Sequence, residues 1–317
     1  MGMSNFPNGF SNGVTIRGLP LQVLHPGKVF WVNNSGVLPV GGITGANGND
    51  GSYLRPFSTI DYAVGRCLAN RGDIIMVMPG HSENVTAAAG MVFDVAGVAV
   101  VGLGSGSKRP KINFTTAATA DIDITAANVS FYNIEFSAGY ADVTAPIDVS
   151  GVAGLTFSNC YFTESAANLN FVDVIDLATG VTDMHVTNCK FIGNDAANDA
   201  FISGVALDGL YISDSYFACN TAQTAAHGLI VTSGNATNVV IKDCHFRSNV
   251  DGAIFIDCDG TANGGLISNC YFSSIDVAGA VTTGFDFTGG HMFECYVAGE
   301  PDSYGIIGGG AAYDNGA

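Results

Sequence analysis

Apolar and polar residues alternate in short segments that recur along the second half of the chain. Each segment carries two apolar residues with one residue between them, and an Asn or Asp follows two positions after the second. The copies are Val129-x-Phe131-x-Asn133, Leu155-x-Phe157-x-Asn159, Met184-x-Val186-x-Asn188, Leu210-x-Ile212-x-Asp214 and Val239-x-Ile241-x-Asp243. A period of two predicts strands that bury one face. The Asn or Asp predicts a turn, because these residues tolerate the left-handed conformation.

A phenylalanine follows each predicted turn and makes the repeat measurable. The copies are Phe136, Phe162, Phe191, Phe217, Phe246 and Phe272, at spacings of 26, 29, 26, 29 and 26 residues, with a degenerate seventh copy at Val297. A further apolar strand lies midway through each unit, for example Ile147 to Val149. A repeat of this length predicts a solenoid. Three strands per unit predict an all-β parallel β-helix, and the alternating spacing predicts longer loops on one edge of every second coil.

The segment before the repeat predicts one helix and several early strands. Residues 57–70 carry Ser58 and Asp61 as a capping box and an apolar stripe of Ile60, Ala63, Val64, Cys67 and Leu68. Residues 70–72 supply the stop. Strands are expected at residues 73–77, 98–101, 111–114 and 122–124. We therefore expect one helix ahead of the repeat.

Three regions follow from these patterns. Residues 1–56 are rich in Gly, Pro and Asn turns and predict an arm with loops for attachment; residues 57–303 predict the parallel β-helix; residues 304–317 form a Gly-rich tail. The arm carries the one Trp of the chain, Trp31.

The repeat also predicts two internal ladders. Five cysteines follow the turn residue directly, and Ser215 fills the same slot in another copy. Because Ser replaces Cys, the slot is expected to require small size rather than a thiol, with the cysteines reduced. The turn residues are expected to stack and to bond from coil to coil through their amides, with Asp214 and Asp243 as interruptions.

Charge is unevenly divided along the chain. The whole protein has a formal net charge of −17, and residues 112–317 contain three Lys or Arg against 23 Asp or Glu. A body this acidic repels nucleic acid, anionic membranes and polyanionic sugars that lack a bridging metal. The N-terminus has no basic stretch followed by an apolar one, so a secretory signal is not expected.

Candidate catalytic residues are sparse and scattered. The cations of the body are Lys190, Lys242 and Arg247, and the last two flank Asp243 and His245. Asp257 and Asp259 are two residues apart and could reach the separation that glycoside chemistry uses, and His227 stands between small residues. Solvated turns are the simpler interpretation. We therefore expect no catalytic set, no cofactor and no metal site, and leave enzymatic activity undecided while favouring its absence.

Four other features invite a functional interpretation. Residues 47–51 have oxygen donors at calcium-like spacing but lack the terminal acid, which favours an ordinary loop. Arg71-Gly-Asp73 falls at the helix-to-strand junction and is interpreted as structural. His185 and His245 are expected to be surface histidines without partners. Tyr161, Tyr216 and Tyr271 recur at an outward position and predict either an aromatic stripe for sugar or partner binding or a cover for the sheet.

Residues 56–60 (Pro-Phe-Ser-Thr-Ile), 71–80 (Arg-Gly-Asp-Ile-Ile-Met-Val-Met-Pro-Gly) and Glu83 carry a resemblance. This stretch is similar to the start of right-handed parallel β-helix proteins of the pectin-lyase-like class, as are the Asn-Cys-x-Phe motifs. The segment from Asn5 to Val32 looks like the openings of β-helix proteins encoded by tailed bacteriophages. The resemblance implies a right-handed coil, an N-terminal capping helix over the first coil, and a phage particle as the setting.

These observations favour a non-catalytic structural virion protein of a tailed phage, expected to decorate the capsid. It would be made in the host cytoplasm and would attach to other virion proteins through its arm, with a homotrimer favoured by analogy and no contact with nucleic acid or membrane. One alternative is a tail spike or fibre that binds or cleaves host-surface polysaccharide. A second alternative is a non-catalytic glycan-binding module.

Overall fold

The computed structural model of the protein contains three large parallel β-sheets. It describes residues 14–16, 19–21, 27–166, 168–194, 200–220, 230–248, 255–258, 260, 263–274, 285–287, 289–298 and 305–307. The chain visits sheet 1, sheet 2 and sheet 3 in turn, and each strand pairs with its equivalent on the next coil. The predicted class, an all-β right-handed parallel β-helix with three short strands per coil and one N-terminal helix, is confirmed.

Sheet 1 contains ten strands: Val29–Val32, Ile74–Val77, Ala99–Gly102, Ser130–Tyr132, Thr156–Ser158, Val181–Thr187, Leu207–Ser213, Ala236–Lys242, Gly265–Ser268 and Gly290–Phe293. Its first strand belongs to the region predicted as an arm, and it pairs in parallel with Ile74–Val77. A separate antiparallel pair, Val14–Ile16 with Leu19–Leu21, lies earlier in the same region.

Sheet 2 also contains ten strands: Ser82–Val85, Lys111–Phe114, Glu135–Ala138, Tyr161–Glu164, Lys190–Gly193, Tyr216–Cys219, His245–Ser248, Tyr271–Ser274, Cys295–Ala298 and Gly305–Ile307. The last strand lies in the region predicted as a tail and pairs antiparallel with Cys295–Ala298. Parallel stacking therefore ends there.

Sheet 3 contains eight strands: Met91–Phe93, Ile122–Ile124, Ile147–Val149, Asp173–Leu177, Ala200–Gly204, Ile230–Thr232, Ile256–Cys258 and Phe285–Asp286. The α-helix Ile60–Val64 contacts its first strand, and the Asp61 side chain accepts a hydrogen bond from the Val92 amide at 3.1 Å. The helix thus covers the open end of this sheet. A short 3₁₀ helix spans Gly106–Lys108.

The helix is shorter than the predicted 57–70, and its N-cap lies one residue after the predicted Ser58. Its N-cap is Thr59, whose hydroxyl accepts a hydrogen bond from the Tyr62 amide, whereas Ser58 donates its hydroxyl to Asn47. After Val64 the chain leaves the helix, and the Leu68 amide donates to the Asp73 carboxylate. The stripe prediction holds for Cys67 and the residues before it but is wrong for Leu68, which is 57% exposed.

The phenylalanine ladder fills the interior. Phe136 stacks on Phe162 at 5.1 Å, and Phe246 stacks on Phe272 at 4.9 Å. Stacked or tilted rings at these distances contribute stability beyond that expected from the apolar area that they bury. Between Phe162 and Phe217, Phe201 from sheet 3 contacts both rings. The column of aromatic rings is therefore continuous inside the rod, but in its middle the contact between coils is made by a residue from sheet 3.

The corner between sheets 1 and 2 carries the turn residues as predicted. Asn133, Asn159, Asn188, Asp214, Asp243, Asn269 and Glu294 all have φ between 50° and 57°. Asn159 donates its amide to Asn133 at 3.0 Å, and Asn269 donates to Asp243 at 2.6 Å. The predicted amide ladder therefore forms in both halves of the repeat.

The slot after the corner holds Ile134 in its first copy, and in the six later copies it holds a Cys or Ser that donates to the carbonyl two residues earlier. All eight cysteines are buried, and none of them is joined to another in a disulfide. The Cys244 thiol donates to the Lys242 carbonyl at 3.1 Å, and the Ser215 hydroxyl donates to the Ser213 carbonyl at 2.8 Å. Ser can therefore replace Cys because both side chains donate to the carbonyl two residues earlier.

A second left-handed corner, between sheets 3 and 1, is absent from the sequence prediction. Its residues alternate between Asn or Asp and Gly: Asn70, Gly97, Asn128, Gly154, Asp183, Gly209 and Asn238, all with positive φ. A Cβ added to Gly154 would lie 2.3 Å from the side-chain oxygen of Asn128. Glycine on alternate coils leaves room for the neighbouring amide.

Alternate coils differ in length by three residues, and this difference is divided between two corners. From the sheet 2 to the sheet 3 position, the chain advances 11 residues between Phe136 and Ile147 but 13 between Phe162 and Ile175. The remaining residue falls between sheets 3 and 1. The predicted longer loops on alternate coils are present, and two of the three extra residues lie on one edge.

Candidate functional site

An aromatic and cationic column runs along the outer face of sheet 2. Strand register places the following residues one above another on successive coils: Tyr161, Lys190, Tyr216, His245, Tyr271 and Tyr296. We call this set the tyrosine column. The predicted tyrosine stripe is thus a real alignment, and the coils between its first members carry Lys190 and His245.

Cations pack on the rings of the tyrosine column. The guanidinium of Arg109 lies 3.7 Å from the centroid of Tyr161 and donates to the Asn159 carbonyl, and Lys190 Nζ lies 5.8 Å from the centroid of Tyr216. Such contacts are favourable because the ring face is electronegative. Tyr161 and Tyr216 are therefore partly engaged by the protein itself, whereas Tyr271 and Tyr296 are 40% and 46% exposed.

His245 has partners, contrary to expectation. Its ring lies between Tyr216 and Tyr271 at centroid distances of 5.0 and 4.8 Å, and its Nε2 is 3.3 Å from the Ser273 hydroxyl. Burial, with a contribution from the charge of Arg247, lowers the pKa of His245 below its usual value. This histidine therefore stays neutral at pH 7 and serves as an aromatic member of the column.

His185 also has partners. Its Nε2 lies 3.0 Å from the Asp183 carboxylate, and its ring stacks on Tyr211 at 4.7 Å. The prediction of two unpartnered surface histidines is wrong for both, because period-two register brings aromatic side chains from adjacent coils into contact.

An acidic column on sheet 3 was not recognised in the sequence. Asp123, Asp148 and Asp176 are direct neighbours across three coils, and Asp121 lies beside the first. Burial and the charges of Asp123 and Asp148 raise the pKa of Asp121 to about 6; burial and the charges of Asp123 and Asp176 raise the pKa of Asp148. The available signal was a repeated Ile-Asp followed by an aliphatic residue, at 122–124, 147–149 and 175–177.

The candidate catalytic residues that the structure describes have separate structural roles. Asp243 accepts from Asn269 in the corner ladder, while His245 belongs to the tyrosine column. Asp257 lies on sheet 3 below Asp286, and both Asp259 and His227 lie outside the described residues. Within the described part of the chain, no group of three His, Cys, Asp or Glu residues is arranged to hold a metal ion.

The calcium-like segment is an ordinary loop that supports the helix. The Asn47 side-chain oxygen accepts from the amide and hydroxyl of Ser58, and Asn49 donates its amide to the carbonyls of Thr44 and Pro56. Asp50 accepts from the Ser52 amide. Its oxygens therefore bind the loop itself.

Arg71-Gly-Asp73 is a structural junction, as interpreted. Arg71 forms a two-point contact with the fully buried Asp73 carboxylate at 2.7 and 2.6 Å, and Asp73 also accepts from the amides of Lys28 and Leu68. Burial alone would raise the pKa of Asp73, but these hydrogen bonds hold it below its usual value. A second buried pair, His81 with Glu83, binds the first helical amide, that of Ile60, through Glu83.

Large apolar side chains are exposed at the N-terminal end of the rod. They are Val37, Leu38, Val40, Ile43 and Leu54, which we call the N-terminal apolar surface. Hydrogen bonds hold this loop in place: Asn33 donates its amide to the Val37 carbonyl, and the Gly42 amide donates to Pro39. An exposed apolar group of this kind marks an interaction surface.

Comparisons with known proteins give limited likenesses. No family model matches the sequence, and no curated protein matches it. Among solved structures, the fold is similar to a rhamnogalacturonan lyase at a TM-score of 0.49 and 13% identity, covering 78% of this chain and 69% of that one. It is also similar to the pectin methylesterase from Aspergillus niger in deglycosylated form, at 0.48 and 16%, covering 84% and 88%.

At these TM-scores neither likeness carries an argument about the activity of this chain. The fold assignment rests on the strand pairing described above. Among the described residues, no helix combines the length and the apolar character that a membrane crossing needs.

Proposed function

We propose that this chain is a non-catalytic structural protein of a tailed-phage particle, with decoration of the capsid as its role. The N-terminal apolar surface carries the proposal. Its hydrogen-bonded loop presents Leu38 and Val40 to solvent within residues 1–56, the region predicted as an attachment arm. Preorganised apolar side chains reduce the entropy that attachment costs. The phage-like opening of the sequence supports the setting.

The β-helix has the features of a structural rod. Its interior columns are packed with phenylalanine and isoleucine, and the conspicuous polar residues of its corners bond to one another. Its net negative charge disfavours contact with nucleic acid or anionic membrane. In this proposal the partners are other virion proteins and further copies of this chain, with a trimer favoured, and the location is the virion.

Attachment through the N-terminal apolar surface is tested by incorporation. Phage particles are produced with Leu38→Asp or Val40→Asp and compared with Val205→Asp, an exposed apolar residue elsewhere on the rod. We expect the first two variants to fold and to be lost from purified particles, and the control to be retained. Normal incorporation of both Asp variants would contradict attachment by this surface.

A glycan-binding module is the second candidate, favoured by the exposure of Tyr271 and Tyr296 on the tyrosine column. Aromatic side chains with a polar tip suit sugar and protein surfaces alike.

A further inference from the structure

A cavity of about 440 Å³ lies between the first strand of sheet 1, the loop that follows it and the C-terminal end of the α-helix. Its inner wall is apolar and consists of the buried side chains of Phe30, Phe57 and Cys67. Burial raises the pKa of Cys67 to about 12, so the thiol stays neutral. The volume falls in the range of pockets that take small organic groups.

Two cationic side chains line the same cavity. Lys28 and Arg66 are both exposed, and neither forms an ion pair among the residues that the structure describes. The guanidinium of Arg66 lies over the ring of Tyr62, 5.4 Å from its centroid. A guanidinium that contacts a ring face keeps the N–H groups at its edge available for an anion.

The acidic residue of the lining does not balance these two cations. The Asp50 carboxylate accepts from the Ser52 amide at 3.0 Å and lies 3.5 Å from Arg55 Nε, so Arg55 balances its charge. Residues 1–111 as a whole contain eight Lys or Arg against five Asp or Glu. The cavity therefore has an excess of positive charge in an otherwise acidic protein.

Hydrogen bonds hold the walls of the cavity in place. The buried Asp73 carboxylate accepts from the backbone amides of Lys28 at 2.7 Å and Leu68 at 2.8 Å, and so joins the strand side to the helix side. On the loop side, Asn49 donates its amide to the carbonyls of Thr44 and Pro56. A cavity that is formed before binding saves the entropy of ordering its walls.

We propose that this cavity binds an apolar group that carries a carboxylate. The apolar part would cover Phe30 and Phe57, and the carboxylate would lie between Lys28 and Arg66. An inorganic anion would leave the aromatic wall uncovered, and a neutral apolar group would leave the two cations unmatched. This chemistry has two sources, a free organic acid and an acidic side chain beside an aromatic one in a partner polypeptide. The proposal is independent of the proposed function.

Calorimetric titration of the purified full chain with 4-phenylbutyrate tests the proposal. We expect saturable binding, and binding about tenfold weaker for the neutral amide of the same acid. Lys28→Gln and Arg66→Gln should each weaken the acid by about tenfold, because each removes one charge-assisted hydrogen bond. Lys108→Gln is the matched control, since Lys108 is an exposed cation outside the lining. Thermal melts establish that each variant is folded.

A substitution that narrows the cavity tests its location. Gly65 belongs to the lining and has a φ of −62°, and a Cβ added there would meet only the carbonyl oxygens of Tyr62 and Asp61, at 3.6 and 3.9 Å. Gly65→Leu is therefore compatible with the fold and should abolish binding of 4-phenylbutyrate.

A second titration distinguishes the two sources of the ligand. The probe is a blocked tetrapeptide that carries aspartate beside phenylalanine and has no free terminal carboxylate. Tighter binding of the tetrapeptide would assign the cavity to a partner polypeptide, and tighter binding of 4-phenylbutyrate would assign it to a free acid. Either result supports the proposed chemistry.

Three results would overturn the proposal. The first is a folded wild type that binds neither probe saturably. The second is equal affinity for 4-phenylbutyrate and its amide, and the third is a folded Gly65→Leu variant with unchanged affinity. None of them concerns the presence of the chain in particles, so the proposed function is tested separately.

Discussion

Asn159 donates its side-chain amide to the side-chain oxygen of Asn133, the equivalent residue one coil earlier, at 3.0 Å. Both residues have φ above 50°, so one residue type meets two requirements at this corner: a left-handed backbone and a bond along the rod. The corner ladder therefore joins coils that are far apart in sequence.

Replacing Asn159 separates the two requirements. Asn159→Gly keeps the backbone conformation and loses the amide bonds, and should lower the free energy of unfolding by about 1 kcal/mol. Asn159→Ala loses the same bonds and also places alanine in the left-handed conformation. It should therefore lower the free energy of unfolding by about 2–3 kcal/mol. Urea denaturation measures both. Equal losses in the two variants would show that the backbone conformation contributes nothing.

The buried position of Cys244 should tolerate substitution by serine but not by valine. Cys244→Ser retains a donor to the Lys242 carbonyl and should change the free energy of unfolding by less than about 1 kcal/mol. Cys244→Val adds a branched side chain to a packed core and should cost about 1–3 kcal/mol. Thermal melts of both variants against wild type make the comparison. A valine variant as stable as the serine variant would show that this slot requires neither the small volume nor the donor.

The thiols should react only after unfolding. All eight are free and buried, and burial raises the pKa of Cys219 to about 12. We expect slow labelling by a thiol reagent in buffer and eight labels in denaturant, counted by intact mass. Fewer than eight labels in denaturant without reductant would indicate disulfides.

The acidic column should make the protein more stable as the pH falls from 7 towards 4. The folded pKa of Asp121, about 6, lies above its ordinary value of 3.8, and the pKa of Asp148 is also raised. The folded state thus binds more protons in this window, and the stabilisation is complete below the ordinary value and lost as the pH rises through 6.

Asp148→Asn tests this column directly. It removes one of the repelling charges and should raise stability at pH 7 by about 1 kcal/mol after allowance for solvent screening, with a smaller gain at pH 4. Melting temperatures across this range provide the measurement, with Asp183→Asn, outside the column, as the control. A gain at pH 4 equal to that at pH 7 would exclude charge repulsion as the cause.

Asp73→Ala should be the most damaging of these changes. It removes a fully buried carboxylate that binds Arg71 and two backbone amides, and leaves those donors without their partner. Loss of one member of a buried pair costs about 3–5 kcal/mol. Denaturation of the variant measures the loss, and an effect under 1 kcal/mol would contradict the structural role of this tripeptide.

Much of the fold was predictable because the interior repeats. Phe136, Phe162 and their equivalents mark each coil, and the Asn that precedes them marks one corner. The second corner was missed because Gly154 and Asn128 alternate there, so that neither residue type repeats on every coil. The helix boundary was misplaced because Asp73 captures the Leu68 amide, a contact that no local pattern indicates.

The surface was less predictable than the interior. The tyrosine column was anticipated from spacing, but the partners of His245 depend on register between coils. The acidic column follows from the same register applied to Asp123, Asp148 and Asp176.

Purified phage particles provide the most direct measurement of the central proposal. Mass spectrometry of the particle proteins, followed by electron microscopy of particles labelled with an antibody against this chain, locates it or excludes it. We predict that the chain is present in stoichiometric amounts and that the label lies on the capsid. Absence of the chain from purified particles would contradict the proposed structural role.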